Sequence, residues 1–265
     1  WQVSGTGFDP TGSLRREDEA AAAQEPLSRA ALESSHAALR DCLLAGLLCN
    51  DAELIEHQGV WRTEGDPTEG ALLASAAKVG FDRETELDRF PRLDVLPFES
   101  DRQYMATMHR DVDGEGVTGH RVWVKGSVER LLEWCQTAEQ DEGTRAPLDG
   151  TRIHEQVERM TAQGMRVLAF ATRWLPADHE RLTYADVEGG LVFVGLQGMI
   201  DPPRPEAIEA VAACHRAGIR VKMITGDHVG TARAIAAQLG IGRFADSAHA
   251  VGVATPATSP SASSA

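Results

Sequence analysis

The segment Ile200–Leu239 constrains the fold of this chain more than any other stretch of its sequence. It reads IDPPRPEAIEAVAACHRAGIRVKMITGDHVGTARAIAAQL. Pro205 stands at a favoured first helical position, and Gly218 suits the position just past a helix end. The run Ile219–Ile224 that follows is mostly apolar and rich in β-branched residues, which favours a buried parallel strand. The pattern therefore predicts a helix followed by a strand.

The turn after this strand combines Thr225, Gly226 and Asp227. Asp227 is suited to cap a second helix that is predicted to begin near His228 and to end at Gly240. A turn between the carboxyl end of a strand and the amino end of a helix is where open α/β sheets bind phosphoryl groups. A hydroxyl and backbone N–H groups there suit the charge on a transferring phosphoryl group. The alternative is an ordinary helix cap.

These motifs resemble those of the cation-pumping P-type ATPases. The string DPPR at Asp201–Arg204 is similar to the family's hinge, and ITGD is similar to its phosphate site. Three further strings match the family in the same order, and their forms resemble the calcium and sodium/potassium branch. They are GDPTEGALL at Gly65–Leu73, PFESDRQYMATMH at Pro97–His109 and WVKGSVERLLEWC at Trp123–Cys135.

The resemblance implies an α/β protein in three parts. Residues 1–200 would form a nucleotide-binding domain, an α+β unit with a mixed antiparallel sheet and flanking helices. Residues 201–245 would form part of the phosphorylation domain, an incomplete βαβα segment like that of haloacid dehalogenases. Residues 246–265 contain the low-complexity string ATPATSPSASSA and are expected to be a disordered tail.

Local patterns predict the elements of the first part. Helices are predicted at Pro26–Cys49, from Pro67 to Lys78 with Asp66 as cap, at Val128–Cys135 with Ser127 as cap, and at Thr151–Ala162. Strands are predicted near the start of Trp1–Gly12, around Trp61, and at Pro91–Glu99, Tyr104–His109, His120–Lys125, Val167–Arg173 and Leu191–Met199. The strands Tyr104–His109 and His120–Lys125 are expected to form a hairpin or meander. Leu14–Ala23 is predicted to be an exposed loop or a short helix.

Four candidate ATP-binding residues lie on predicted strands or at their ends. The resemblance implies that Phe98 stacks on adenine, since a flat apolar face suits a purine; a core aromatic is the alternative. Met105 is expected either to line the same pocket or to pack in the core. Lys125 can reach an adenine or a phosphate, and Gly126 permits close backbone approach. The alternative for these two is a surface lysine with a turn glycine.

Glu69 and Arg166 complete the candidate ATP-binding set. Glu69 stands three residues after Asp66, so it can form a capping box with that residue. The resemblance implies instead that Glu69 accepts a hydrogen bond from the adenine amino group. Arg166 opens a predicted strand and is similar to the arginine that contacts a nucleotide phosphate in the family; an interface salt bridge is the alternative.

Asp201, Pro202, Pro203 and Arg204 form a stiff connector, because consecutive prolines fix the backbone. The resemblance implies an interdomain hinge, and any strand-to-helix turn is the alternative.

Charge and composition limit the kinds of partner and site that this chain is expected to have. The net charge is −14, from 26 basic and 40 acidic residues, which argues against a nucleic-acid partner. No apolar run approaches the roughly 18 residues that cross a bilayer, so we expect a soluble segment. The resemblance implies that this segment belongs to the cytoplasmic face of a membrane protein. The four cysteines have no C-x-x-C spacing and are expected to be free thiols, and no metal site is predicted.

Two strings of the family do not occur in these 265 residues. One is D-K-T-G-T, which carries the phosphorylated aspartate, and the other is the GDGVNDAP type, whose aspartates hold magnesium. The resemblance therefore implies a portion of a pump that binds ATP but does not hydrolyse it. The Mg²⁺ ligands and the transmembrane, actuator and remaining phosphorylation segments would lie elsewhere in the pump. The alternatives are a haloacid-dehalogenase-like phosphatase, which should carry its own D-x-D nucleophile, and a non-catalytic ATP-binding module.

Overall fold

The computed structural model describes residues 1–5, 7–16, 26–113, 116–200, 203–225 and 229–241. The chain divides into two compact units, Trp1–Asp201 and Pro202–Ala265. Asp201 and Pro202 of the predicted hinge, Gly226 and Asp227 of the predicted phosphate turn, and the predicted tail 246–265 all lie outside the described residues.

The first unit contains most of the secondary structure. Its strands are β1 (Gln2–Val3), β2 (Leu14–Arg15), β3 (Glu53–His57), β4 (Val60–Glu64), β5 (Arg92–Glu99), β6 (Tyr104–Asp113), β7 (Gly116–Gly126), β8 (Cys135–Glu139), β9 (Arg145–Pro147), β10 (Arg166–Leu175) and β11 (Leu191–Met199). Its helices are α1 (Arg29–Ser35), α2 (Ala37–Leu48), α3 (Pro67–Ala77), α4 (Arg83–Arg89), α5 (Val128–Trp134), α6 (Gly150–Ala162) and α7 (Tyr184–Val187).

A seven-stranded sheet forms the centre of this unit, in the order β5-β6-β7-β10-β11-β8-β9. Neighbouring strands are antiparallel except β11 and β8, which are parallel. The pairs β1–β2 and β3–β4 form two separate two-stranded sheets. The predicted mixed sheet with flanking helices is therefore confirmed, including the β6–β7 hairpin.

Each face of the sheet packs against its own apolar layer. On one face, Met105, Trp123 and Phe170 share a buried cluster with leucines of α2 and α3. On the other, strand residues such as Val122 and Val124 are buried with residues of α5 and α7. Because successive side chains of a strand point to opposite faces, alternate residues of β7 belong to different layers. Residues 121, 123 and 125 of β7 therefore face α2 and α3.

The predicted single helix Pro26–Cys49 is wrong, because the structure has two helices, α1 and α2, separated at His36. His36 adopts φ −138° and ψ 60°, which is not helical. Contacts with a distant turn hold the break: His36 Nδ1 lies 3.2 Å from Asp141 Oδ2, and Ala37 N–H donates to Asp141 O. This tertiary contact outweighs the local helical pattern. Helix α2 is then buried continuously from Asp41 to Leu48.

The helix caps in this unit confirm the local sequence patterns. Asp66 Oδ1 accepts hydrogen bonds from the backbone N–H groups of Thr68 and Glu69 at 2.7 and 3.4 Å. Ser127 Oγ accepts from Arg130 N–H at 3.3 Å. Both caps satisfy backbone donors that a helix start leaves without intrahelical partners.

Several short elements were not expected from the sequence. They are α4, α7, β3, β8, β9 and the strand β2, which occupies part of the segment Leu14–Ala23 that was predicted to be a loop or helix. Residues 17–23 of that segment lie outside the described residues. These elements are short, and the strands depend on pairing with distant partners. Local periodicity therefore carries little signal for them.

The second unit contains helices α8 (Pro205–Arg216) and α9 (Val229–Gln238). Gly218 and Gly240, each with φ 73°, follow the two helices as predicted. The strand predicted at Ile219–Ile224 is not formed, since this segment has no regular secondary structure and Ile224 is 98% exposed. An extended segment becomes a strand only when a neighbour pairs with its backbone. The described residues provide no such neighbour for it.

Candidate functional site

Lys125 ends the α2/α3 face of strand β7. Its Cα partners on the neighbouring strands are Met105 and Phe170, so the three residues form one row across the sheet. Met105 and Phe170 are fully buried, and Lys125 is only 6% exposed. A buried ammonium group is costly unless a counter-charge and hydrogen-bond acceptors compensate for its lost hydration. Lys125 therefore needs a negatively charged partner close to its ammonium group.

Glu69 supplies that counter-charge from the first turn of α3. Its Oε1 accepts a hydrogen bond from Lys125 Nζ, and its Oε2 accepts from the backbone N–H of Asp51 at 3.2 Å. The capping-box alternative is therefore wrong for the Glu69 side chain, although Asp66 does cap the helix. The carboxylate is held from two sides, close to Lys125.

Phe98 lies near the end of β5 and is 59% exposed, so the core alternative for this aromatic is wrong. The next residue, Glu99, pairs with Tyr104, which pairs with Gly126. This row stands beside the row of Lys125, so Phe98 and Lys125 lie at the same end of the sheet. They are two strand spacings apart, about 10 Å.

Met105 and Gly126 are built into the core at this end of the sheet. Met105 is 1% exposed, so the core alternative describes its side chain. A Cβ on Gly126 would lie 2.6 Å from Gln103 O and 2.8 Å from Leu131 Cδ1. Since these contacts are closer than real Cβ atoms make, the glycine is required for packing. Both residues thus support the position of Lys125 from within the sheet.

Arg166, the first residue of β10, is exposed. It lies three residues beyond Ala169, which pairs with Gly126, and therefore projects past the end of β7. Its charge acts on Asp66 at the start of α3. Burial acts to raise the pKa of Asp66, but hydrogen bonds from Thr68 and Glu69 and the Arg166 charge bring that pKa below its ordinary value. Arg166 and the start of α3 thus share this end of the unit.

The remaining predicted site residues belong to the second unit or to its boundary. Thr225 is exposed and follows the irregular segment 219–224. Pro203 and Arg204 precede α8, and Arg204 stands at its N-cap position without a side-chain capping bond. Their predicted roles in phosphate binding and as a hinge stay predictions.

Comparison with protein families identifies the evolutionary group of the chain. The family model of the P-type ATPase cytoplasmic domain N matches residues 38–206. This range contains every candidate ATP-binding residue of the first unit. The chain belongs to the P-type ATPase family. Among the described residues, no helix has the length and apolarity needed to cross a bilayer.

Several curated P-type ATPases are similar to this N domain and its flanking residues. The cation-transporting ATPase pma1 of Synechocystis is 51% identical over 93% of the chain, which covers 26% of that protein. The calcium-transporting ATPase of Bacillus subtilis is 34% identical over 90% of the chain, covering 25% of that protein. The sodium/potassium exporting P-type ATPase cta3 of Schizosaccharomyces pombe is 41% identical over 73% of the chain, which covers 18% of that protein. The chain thus spans about a quarter or less of each of these relatives.

The N domain also contains a second buried ion pair that sequence patterns did not indicate. Arg121, four residues before Lys125 on β7, donates to Asp41 of α2, whose side chain is fully buried. Arg40 Nε contacts the same carboxylate at 2.7 Å, and Glu139 Oε2 lies 4.0 Å from Arg121. Burial, and then the adjacent Asp41 carboxylate, raise the pKa of Glu139 to about 7.

The backbone partner of Glu69 was also missed from sequence. Asp51 contributes its N–H rather than its side chain, and it follows α2, nearly twenty residues before Glu69. Asn50, directly before it, is a residue type typical of turns after helices. That signal indicates where the chain turns, but not which distant carboxylate the turn contacts.

Proposed function

We propose that this chain is the ATP-binding portion of a pump that couples ATP hydrolysis to cation transport across a membrane, on the cytoplasmic side. Family membership supports the proposal, as do the relatives described as cation-transporting, calcium-transporting or sodium/potassium exporting. Because these names differ in the ion, they support cation transport as a class and no particular cation.

The observation that carries the proposal is the exposed Phe98 beside the buried pair of Lys125 and Glu69. A purine ring can stack on Phe98, since stacking requires only a flat apolar face. The Glu69 carboxylate is an acceptor for the amino group of adenine. Lys125 keeps that carboxylate from being an isolated buried charge and offers further N–H donors to the nucleotide.

Arg166 is the cation best placed for the phosphates of the bound nucleotide. Its exposed guanidinium lies past the end of β7, and its fork of N–H donors matches phosphate oxygens. In the whole pump, Mg²⁺ would neutralise part of the phosphate charge during transfer. Its ligands, and the aspartate that receives the phosphoryl group near Thr225, would come from other segments of the pump.

The chain itself is expected to bind ATP without turning it over. Covalent phosphoryl transfer needs a nucleophile and a metal site, and the strings D-K-T-G-T and GDGVNDAP do not occur in its 265 residues. Turnover that disappears in Asp227→Asn would instead support the soluble phosphatase. A non-catalytic ATP-binding module would bind ATP in the same way. The two cases differ in the genomic sequence on either side of this chain: for a non-catalytic module, that sequence would encode neither D-K-T-G-T nor apolar helices.

Calorimetric titration of the chain with ATP, with and without Mg²⁺, tests the proposal. We expect weak binding that does not require the metal. Lys125→Met should weaken binding at least about tenfold, since a charge-assisted hydrogen bond contributes roughly 1.5–3 kcal/mol. The matched control is Lys222→Met in the second unit, which should bind as the original chain does. Equal losses in both variants, or no binding at all, would contradict the proposed site.

A further inference from the structure

Asn50 is a fully buried polar residue that joins the end of α2 to the start of α3. Its Nδ2 donates two hydrogen bonds, to Gly46 O of α2 and to Glu69 O of α3, each at 2.9 Å. Its Oδ1 accepts from the backbone N–H of Ala52 at 2.9 Å. Both amide protons and the amide oxygen are therefore used. A side chain with all these groups satisfied in a buried position has one well-defined orientation.

The Asn50–Asp51 segment contacts Glu69 at two separate points. The Asn50 side chain binds the Glu69 carbonyl oxygen, and the Asp51 N–H binds Glu69 Oε2. The first contact fixes the backbone from which the Glu69 side chain extends. The second fixes the carboxylate itself and leaves Oε1 to Lys125. Together they determine where the carboxylate stands relative to Phe98.

Two arginines hold the same segment from outside. Arg92 donates to Asn50 O at 2.7 Å, to Leu48 O at 2.9 Å and to Asp51 Oδ1 at 2.6 Å. Arg83 donates to Asn50 O at 3.1 Å. These guanidinium groups satisfy carbonyls that the end of a helix leaves without partners, and their charge complements the helix dipole. The segment is thus anchored independently of Glu69.

We propose that Asn50 is the positioning residue for nucleobase selection by Glu69. This inference rests on the proposed function, because it concerns the same ATP site. Adenine presents an amino donor at the position where guanine presents a carbonyl acceptor. A carboxylate fixed in place accepts from the first and repels the second. Without the Asn50 contact, the backbone that carries Glu69 is less fixed, so its carboxylate meets the base in a less defined position and discriminates less.

The test measures the dissociation constants of ATP and GTP for Asn50→Ala, Glu69→Ala and the double variant of the full chain. We expect Asn50→Ala to reduce the preference for ATP over GTP by about three- to tenfold. In the Glu69→Ala background, Asn50→Ala should change the ratio less than twofold, because Asn50 acts through that carboxylate. Thr161→Ala is the matched control. It removes a partly buried side-chain hydrogen bond to a helix carbonyl in α6 and should leave the ratio unchanged.

Arg92→Ala provides a second, milder variant in case Asn50→Ala does not fold, since Arg92 is only partly buried and anchors the same segment from outside. It should lower the ATP preference by a smaller factor, again only when Glu69 is present. Equal weakening of ATP and GTP, or an added loss in the Glu69→Ala background, would overturn the assignment while ATP binding stands. If the original chain does not bind ATP, or if Glu69→Ala binds it unchanged, the proposed function itself fails.

Discussion

Strand β7 carries two buried cations on the same face, and their surroundings differ. Arg121 and Lys125 each pair with a carboxylate of a covering helix, Asp41 of α2 and Glu69 of α3. The Asp41 side chain is fully buried, and the Arg121 guanidinium lies 4.0 Å from the ring centroid of Trp123. Arg121 Nε also donates to a threonine hydroxyl of β10. The carboxylate of the Arg121 pair is therefore enclosed, while the exposed ring of Trp174 has its centroid 5.2 Å from the Arg121 guanidinium.

The pair of Lys125 and Glu69 lies instead at the rim of the sheet. Its side chains are 8% and 16% exposed, and the exposed Phe98 lies nearby. Both pairs satisfy the rule that buried charges need partners, so burial of an ion pair does not by itself mark a binding site. An exposed aromatic lies near each pair, Phe98 near Lys125 and Trp174 with its ring centroid 5.2 Å from the Arg121 guanidinium, so the pairs differ in their carboxylates: the Asp41 side chain is fully buried and that of Glu69 is 16% exposed. We therefore propose that Arg121 and Asp41 contribute to stability and that Lys125 and Glu69 contribute to ligand binding.

The largest expected effect is on stability at the enclosed pair. Asp41→Ala would leave the Arg121 guanidinium buried without its carboxylate, which typically costs about 3–5 kcal/mol of unfolding free energy. Urea unfolding at pH 7 measures this loss. The control is Glu33→Ala, which breaks the more exposed pair with Arg29 and should cost less than about 0.5 kcal/mol. A loss below about 1 kcal/mol for Asp41→Ala would contradict the structural assignment.

The next largest effect is expected in the affinity for ATP and not in the stability of the fold. Phe98→Ala removes the stacking surface, and base stacking on an aromatic is worth roughly 1–3 kcal/mol, so ATP binding should weaken about tenfold or more. The unfolding free energy should change by less than about 0.5 kcal/mol, since the side chain is mostly exposed. Trp174→Ala is the control, an exposed aromatic near the other end of the sheet. Normal ATP binding by Phe98→Ala would contradict the stacking proposal.

The smallest effect concerns the pH dependence of stability. The pKa of Glu139 is raised from an ordinary 4.5 to about 7 by burial and by Asp41. A raised pKa in the folded state means that this contribution to stability is complete below pH 4.5 and is lost as pH rises towards 7. Glu139→Gln cannot ionise, so its stability should fall less over that range. Parallel pH profiles of unfolding free energy for the two proteins would contradict this account.

Sequence patterns were sufficient for the long elements of the first unit, because periodicity and capping residues are local. Asp66 and Ser127 cap helices where the sequence indicated, and β6 pairs with β7 as predicted. Sequence patterns gave wrong predictions where a contact with a distant residue determines the local structure. The contact between His36 and Asp141, more than a hundred residues apart, accompanies the helix break, and the run 219–224 has no pairing partner within the part of the chain that the structure describes.

The candidate site was likewise predicted from the sequence only in part. Motifs indicated Phe98, Lys125 and Glu69, but they did not indicate that Lys125 and Glu69 bind each other. That pair forms because α3 covers the end of β7, which depends on the packing of the whole unit. The roles of Asn50 and Asp51 depend on backbone groups, which leave no residue-type signature in a sequence.

Mapping ATP-induced shifts of backbone amide NMR signals tests the central claim most directly, because one spectrum reports on both buried pairs. We predict that the largest shifts occur at Glu69, Phe98 and Gly126, with smaller shifts at Arg166. The signals of Asp41 and Arg121 should remain in place. Shifts centred on Asp41 and Arg121, or the absence of any saturable shift at Phe98 and Gly126, would contradict the assignment of ATP binding to this end of the sheet.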